Sequence, residues 1–296
     1  MPGGVRDGAG TVSGAPSADI IYLPRWRPRG RRFGAHRGQE AGGLGTFRDQ
    51  VPFLTLPDAR RIDVRASLRD PFEGVHVRRF EMRNAVEVWA LIDLSASMRF
   101  RGAGGRLRLA ADLCAGLAAS ATRIGDGFGM IGCDRTLRAD LYLPATRRRG
   151  PALDMAGRIA ASRCDAPGAE GLLEAARLLF GRPRLVFLIS DFRWPLALIE
   201  QVFAALALHD TVPVLLADSA EDSGLPDWGL VELDDLEAAG RRLVFLRPAL
   251  KRRWIAREQA RREGLRRLAT AASARAPFHL VDRFDAQALT RHLLAT

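Results

Sequence analysis

Three oxygen-bearing side chains, Asp93, Ser95 and Ser97, alternate along the segment Asp-Leu-Ser-Ala-Ser-Met. In an extended loop that spacing sends the three to one side, so a carboxylate and two hydroxyls can converge. A second polar cluster, Ser190-Asp191-Phe192, closes and follows the apolar run RLVFLIS. If the strands ahead of the two clusters are neighbours, Asp191 faces Asp93 across one rim. Hard oxygen donors of this kind suit Mg²⁺, which keeps octahedral positions open for water or a partner's carboxylate. The same residue types also cap helices and form turns. Spacing alone leaves both uses open, for Asp93, Ser95 and Ser97 as well as for Asp191.

Catalytic readings find less support. Asp93 as a phosphatase-type nucleophile needs a second carboxylate two residues on, where Ser95 stands, and no base lies nearby to move the proton. His36, His76, His209, His279 and His292 share no ligand spacing. Cys114, Cys133 and Cys164 are scattered and odd in number, as expected of small buried apolar residues. Gly102 to Gly105 precedes a helix but lacks the Gly-Lys-Ser/Thr ending of a phosphate loop, and reads as a flexible linker. Gly125-Asp126-Gly127 reads as a helix-to-strand turn. The expectation is a protein that is not an enzyme, with no catalytic residue and no organic cofactor.

The elements that must position these clusters alternate regularly. Val86 to Ile92 is an apolar run, as expected of a strand buried on both faces. Arg106 to Ile124 carries Leu109, Leu113, Leu117 and Ala121 on one helical stripe. Strands at 128–133 and 137–143 form a hairpin around Asp134-Arg135, helices follow near 151–163 and 170–180, and the run 184–190 is a second buried strand. A helix at 196–208, a strand at 212–217, a hairpin-like excursion within 228–247 and a long basic helix at 249–272 come next. In that last helix Leu250, Trp254, Leu265 and Leu268 are the inward candidates. A strand at 278–282 and a helix at 286–294 close the chain. This alternation predicts an α/β fold, a doubly wound and mostly parallel sheet over residues 85–296. Residues 1–45 read as a flexible basic arm in which Tyr22, Leu23 and Trp26 dock locally, and 46–84 as a leading segment with a small β element.

The chain of 296 residues has a formal charge of +11, with hydrophobic content of 47%. Lys251 is the only lysine, so the basicity is arginine. Without interleaved aromatics this does not point to nucleic acid. Binding through the arginine-rich arm and helix 249–272 stays open as an alternative. Met98 and Phe192 beside the two clusters, and the run Arg147-Arg148-Arg149, are the candidate partner contacts. No apolar run reaches the length of a membrane span and no signal peptide is visible, so a cytoplasmic location is expected.

The motifs resemble a known family. LIDLSASM, GDGFGM, LVFLISDF and DSAEDSGLPDWG, preceded by Arg61-Ile-Asp-Val-Arg-Ala-Ser-Leu-Arg69, are similar to the von Willebrand factor A superfamily, and within it the bacterial domain-of-unknown-function 58 family, across roughly residues 45–295. Val64 replaces that family's usual Trp. The resemblance implies a Rossmann-type fold and a metal-ion-dependent adhesion site at Asp93, Ser95, Ser97 and Asp191, with Mg²⁺ as its cofactor. The superfamily's Thr ligand corresponds by order to Ala169, which leaves a weaker site completed by water or Glu170, or a relic. It also implies an assembly role beside a MoxR-type AAA+ ATPase and a client protein, one branch of the family accompanying methanol dehydrogenase maturation.

Overall fold

The computed structural model describes residues 19–28, 33–100, 102–220, 226–235 and 240–295. Its centre is a six-stranded sheet. Strands β3 (Glu87–Asp93), β4 (Gly127–Cys133), β6 (Leu185–Ser190), β7 (Asp210–Ala217) and β10 (Phe278–Val281) run parallel, and β5 (Leu137–Thr146) is an antiparallel edge. The order across the sheet is β10-β7-β6-β3-β4-β5. The doubly wound α/β architecture expected from the sequence is therefore the one observed.

Alternation along β3 shows why both faces are covered. Val88, Ala90 and Ile92 pack into one core with helix α2 (Arg106–Arg123), α3 (Arg149–Ala160) and α7 (Ala286–Ala295). Trp89 and Leu91 pack into the other with α4 (Gly171–Leu178), α5 (Leu196–Ala205) and the C-terminal half of α6 (Pro248–Ala271). A strand buried on both sides has no need of polar alternation, so its sequence is a continuous apolar run.

The connections after β3 and β6 leave the sheet on opposite faces, one towards α2 and the other towards α5. The crevice between their ends is the place where doubly wound folds accept ligands. Ile92 pairs with Ile189 and Asp93 with Cys133, so Asp93 and Ser190 finish level with each other.

Outside the sheet, β1 (Phe33–Pro52) pairs antiparallel with β2 (His76–Asn84), with the short helix α1 (Val64–Arg69) between them. The strand β1 thus begins inside the stretch read as a flexible arm. The sequence there offers Gly-rich, weakly patterned residues, and pairing with β2 rather than local propensity makes the strand. Residues 1–18 of that arm lie outside the described residues. Tyr22 docks as expected, 3% exposed, with its hydroxyl donating to Asp126 at 2.7 Å, while Leu23 points outward. Asp126 also accepts from the Val86 amide and bonds His36 Nε2, the structural role expected of its turn.

The excursion is a hairpin of β8 (Gly229–Asp235) and β9 (Gly240–Leu246) leading directly into α6. Of the inward candidates on α6, Leu265 is buried and Leu268 packs on the core. Leu250 and Trp254 are 37% and 40% exposed instead. Their spacing is helical, but this half of the 24-residue helix lies beyond the apolar face that would cover them.

Candidate functional site

Asp93, Ser95, Ser97 and Asp191 come together where β3 and β6 end, and all four are buried. The Asp93 carboxylate accepts the Ser95 amide on Oδ1 at 2.8 Å, which folds the loop back over the strand end. Ser190 Oγ donates to Asp93 Oδ2 at 2.5 Å and itself accepts from the Phe192 amide at 2.7 Å and Trp194 Nε1 at 2.9 Å. One hydroxyl therefore joins the two strand ends and satisfies two buried donors. Ser95 Oγ and Ser97 Oγ lie 3.3 Å apart.

Burial, reinforced by the nearby Asp191 carboxylate, pushes the Asp93 carboxyl up to about 7. Asp191 meets a cation. Arg106, the first residue of α2 and 1% exposed, donates from Nη1 to Asp191 Oδ2 at 2.6 Å and to the Ser97 carbonyl at 2.7 Å. Its guanidinium lies over the Phe100 ring, 5.3 Å from the centroid. Burial lowers the Arg106 pKa, against the pull of Asp191; an arginine starts so high that it stays charged.

The turn after Asp191 is strained and gripped. Phe192 has φ of +52°, in the left-handed region that costs a non-glycine residue about 1 kcal/mol. Its ring is fully buried and stacks on Trp194. Arg261 Nη1, reaching from α6, donates to the carbonyls of Asp191 and Phe192 at 2.8 and 2.7 Å, and Glu258 holds that guanidinium in place.

Other expected site residues fall elsewhere. Met98 and Phe192 are both 0% exposed, so neither offers a surface to a partner. The 3-10 turn Ala96–Arg99 rolls Met98 into the core, and the left-handed backbone turns Phe192 inward. Arg147, Arg148 and Arg149 are exposed but lie at the opposite edge of the sheet, because β5 returns the chain antiparallel until Thr146 pairs with Phe128. Strand β4 spans its seven residues between them and the rim, about 20 Å. Glu170 is exposed, its carboxylate over Gly168 of its own loop, and Ala169 is sealed in the apolar core.

A family model described as "Protein of unknown function DUF58" matches residues 57–264. The chain belongs to the DUF58 family. It is 30% identical over 200 residues to the uncharacterized protein Rv1480 of Mycobacterium tuberculosis, a match that covers 66% of this chain and 61% of that protein. A protein of Mycobacterium bovis, Mb1516, matches to the same extent. The DUF58 chain thus spans less than two thirds of the length of these curated relatives. Among solved structures it is similar to the conserved hypothetical protein BatB from Bacteroides thetaiotaomicron, at 16% identity and TM-score 0.44 over 71% of this chain and 98% of that one. It is also similar to the VWA domain of SpRpn10, at 10% identity and TM-score 0.39 over 72% and 95%.

The donors of this DUF58 chain fit a divalent metal poorly. Both Asp93 oxygens already accept protein hydrogen bonds, Asp191 is paired with a guanidinium, and the buried Ala169 has no side-chain oxygen to offer. Among the described residues no group of three or more His, Cys, Asp or Glu side chains could hold a metal ion.

Sequence reasoning missed Arg106, Trp194 and Arg261, and did not see the Ser190 hydroxyl as the joint. Arg106 had a signal: it precedes Leu109 and Leu113 by three and seven residues, so it heads the buried stripe of α2. Arg261 had none, standing among many arginines of α6. Gly102 to Gly105, read as a flexible linker, is pinned by Asp218. That buried carboxylate accepts the amides of Ala103, Gly104 and Gly105 at 2.9, 3.2 and 3.4 Å. An anion does sit in the glycine-rich loop, and it is the chain's own.

Proposed function

We propose that this DUF58 chain is a non-enzymatic interaction module that binds a partner over the strand-end rim. The reading extends to work with a MoxR-type AAA+ ATPase in maturing a client protein. One observation carries it. The carboxylates of Asp93 and Asp191 and the hydroxyl of Ser190 are each engaged inside the protein and buried, so the rim presents shape and charge rather than a reactive group. A nucleophile or a general base needs a lone pair within reach of substrate. Here the Asp93 and Asp191 carboxylates serve the fold.

Two arginines stand at the surface of the rim. Arg99 on the Ala96–Arg99 turn is exposed, with Nη1 3.9 Å from the exposed Asp165, and Arg193 after the strained turn is partly exposed, with Nε 3.8 Å from Asp191. Acidic side chains of a partner suit such a lip, through charge-assisted hydrogen bonds at the interface. The alternative is nucleic-acid binding through α6, where Arg261, Arg262, Arg266 and Arg267 are paired with Glu258 and Glu263. Among the described residues no helix is long and apolar enough to cross a membrane.

The test is a binding titration against the MoxR-type ATPase of the same genome. The double variant Arg99→Glu, Arg193→Glu should weaken binding by at least about tenfold, with an unchanged melting temperature. Equal affinity of the native and double-variant chains would reject the rim as the docking surface. Binding to a DNA or RNA duplex that falls steeply with salt and ignores the double variant would favour the alternative.

A further inference from the structure

We propose that the guanidinium of Arg106 is the resident cation of the strand-end site, placed where a divalent metal would otherwise neutralise Asp191, so that the site is built to work without metal. The inference concerns the site's own chemistry and stands whether or not a partner docks there.

The geometry is that of a ligand held in a coordination shell. Arg106 Nη1 reaches one carboxylate oxygen at 2.6 Å and one backbone carbonyl, that of Ser97, at 2.7 Å. The Phe100 ring faces the guanidinium, and the side chain is 1% exposed. Asp191 and the Ser97 carbonyl thus hold a permanent positive charge supplied in cis.

Its position is otherwise unfavourable. Arg106 opens α2, where the amide dipoles already place positive charge, and a buried cation there needs a negative partner. Asp191 is that partner. The approach to α2 is fixed from outside: Gly105 takes φ of +73°, and Asp218 holds the three amides before Arg106. A loop so constrained aims the Arg106 side chain inward rather than leaving it to solvent.

The remaining ligands agree with this assignment. Ser190 and the Ser95 amide each take one lone pair on an oxygen of Asp93, which leaves Asp191 as the carboxylate that needs a cation. An arginine cannot lose its proton to make room, so a divalent ion entering beside it meets like charge. A guanidinium gives Asp191 a cation without open coordination positions, whereas a metal would leave positions for a partner's acid. Any acidic partner of this rim must therefore be held by side chains such as Arg193 directly.

The test uses Mn²⁺ alone as probe, on the full chain, by calorimetry and by thermal melting. The native chain should show no saturable heat at millimolar Mn²⁺ and no shift of its midpoint. Arg106→Ala should gain Mn²⁺ binding at least about tenfold tighter than any native trace, read as heat or as a raised midpoint, and the further change Asp191→Asn should abolish it. If Arg106→Ala folds poorly, Mn²⁺ should restore its cooperative melt, because the metal then supplies the missing charge. Saturable native binding that Asp93→Asn removes would overturn the proposal. So would an Arg106→Ala chain, folded or not, on which Mn²⁺ has no effect.

Discussion

Ser190 Oγ stands 2.5 Å from Asp93 Oδ2, and this contact ties the last residue of β6 to the last residue of β3. Both groups are fully buried. The hydroxyl also accepts from the Phe192 amide and the Trp194 indole. Replacing Ser190 by Ala strands two buried donors and removes a donor from a buried carboxylate. We expect a loss of about 3 kcal/mol in chemical denaturation, with Ser190→Thr recovering part of it. A Ser190→Ala chain as stable as the native one would show that the hydroxyl does not join the strands.

The carboxylate of Asp218 holds the amides of Ala103, Gly104 and Gly105, and these bonds lower its own pKa against the opposing effect of burial. In Asp218→Ala, amide hydrogen exchange at those three residues should accelerate while the strands keep their protection. Unchanged exchange at Ala103 to Gly105 would count against the pinning.

Arg275 grips Asp210 with two parallel bonds, Nε to Oδ1 at 2.8 Å and Nη2 to Oδ2 at 2.7 Å, both side chains being buried. The same guanidinium donates to the carbonyls of Leu293 and Leu23, so β7, α7 and the N-terminal segment meet at one charge pair. Arg275→Met leaves Asp210 buried and unpaired, and should cost about 3–5 kcal/mol, seen as a markedly lower melting temperature. The double variant Arg275→Met, Asp210→Asn should be more stable than the single one. The reverse order would mean that the unpaired charge is not the source of the loss.

His209 sets a pH dependence with a definite sign. Burial, with help from the nearby Arg184, lowers its pKa from 6.5 to about 4. Between those values the unfolded chain takes up a proton that the folded chain refuses. The contribution is therefore whole above about pH 6.5 and is lost as pH falls towards 4, at up to about 1.4 kcal/mol per pH unit. Asp93, raised to about 7, acts in the opposite sense over part of this window. Comparison of the native chain with His209→Gln cancels Asp93 and isolates the histidine. The variant should lose less stability on acidification, and parallel pH curves for the two chains would refute the assignment.

Much of this architecture was legible because its strands are buried on both faces. Runs such as Val86 to Ile92 and Leu185 to Ile189 admit few other readings once polar residues close them. That the two clusters share a rim depended on their strands being neighbours, and β3 and β6 pair directly and parallel, which brings both ends to one edge. The far placement of Arg147 to Arg149 was implicit too: a hairpin at Asp134-Arg135 must carry the chain away from the rim. What the pattern does not reveal is which way a turn residue points. Met98 and Phe192 flank polar residues, and only the backbone at those positions sends them inward. The role of Arg106 was hidden for another reason. Hydrophobic periodicity treats arginine as solvent-facing, so a paired guanidinium on a buried stripe registers as an interruption.

Helix α6 joins two places that are far apart in function. It leaves the β8–β9 hairpin after a single residue, runs 24 residues or about 36 Å, and holds the Asp191 and Phe192 carbonyls through Arg261. The helix is thus tied to the hairpin through its first residue and to the strained turn through a side chain near its middle. Loss of those two hydrogen bonds would free the left-handed turn of Phe192 from the helix.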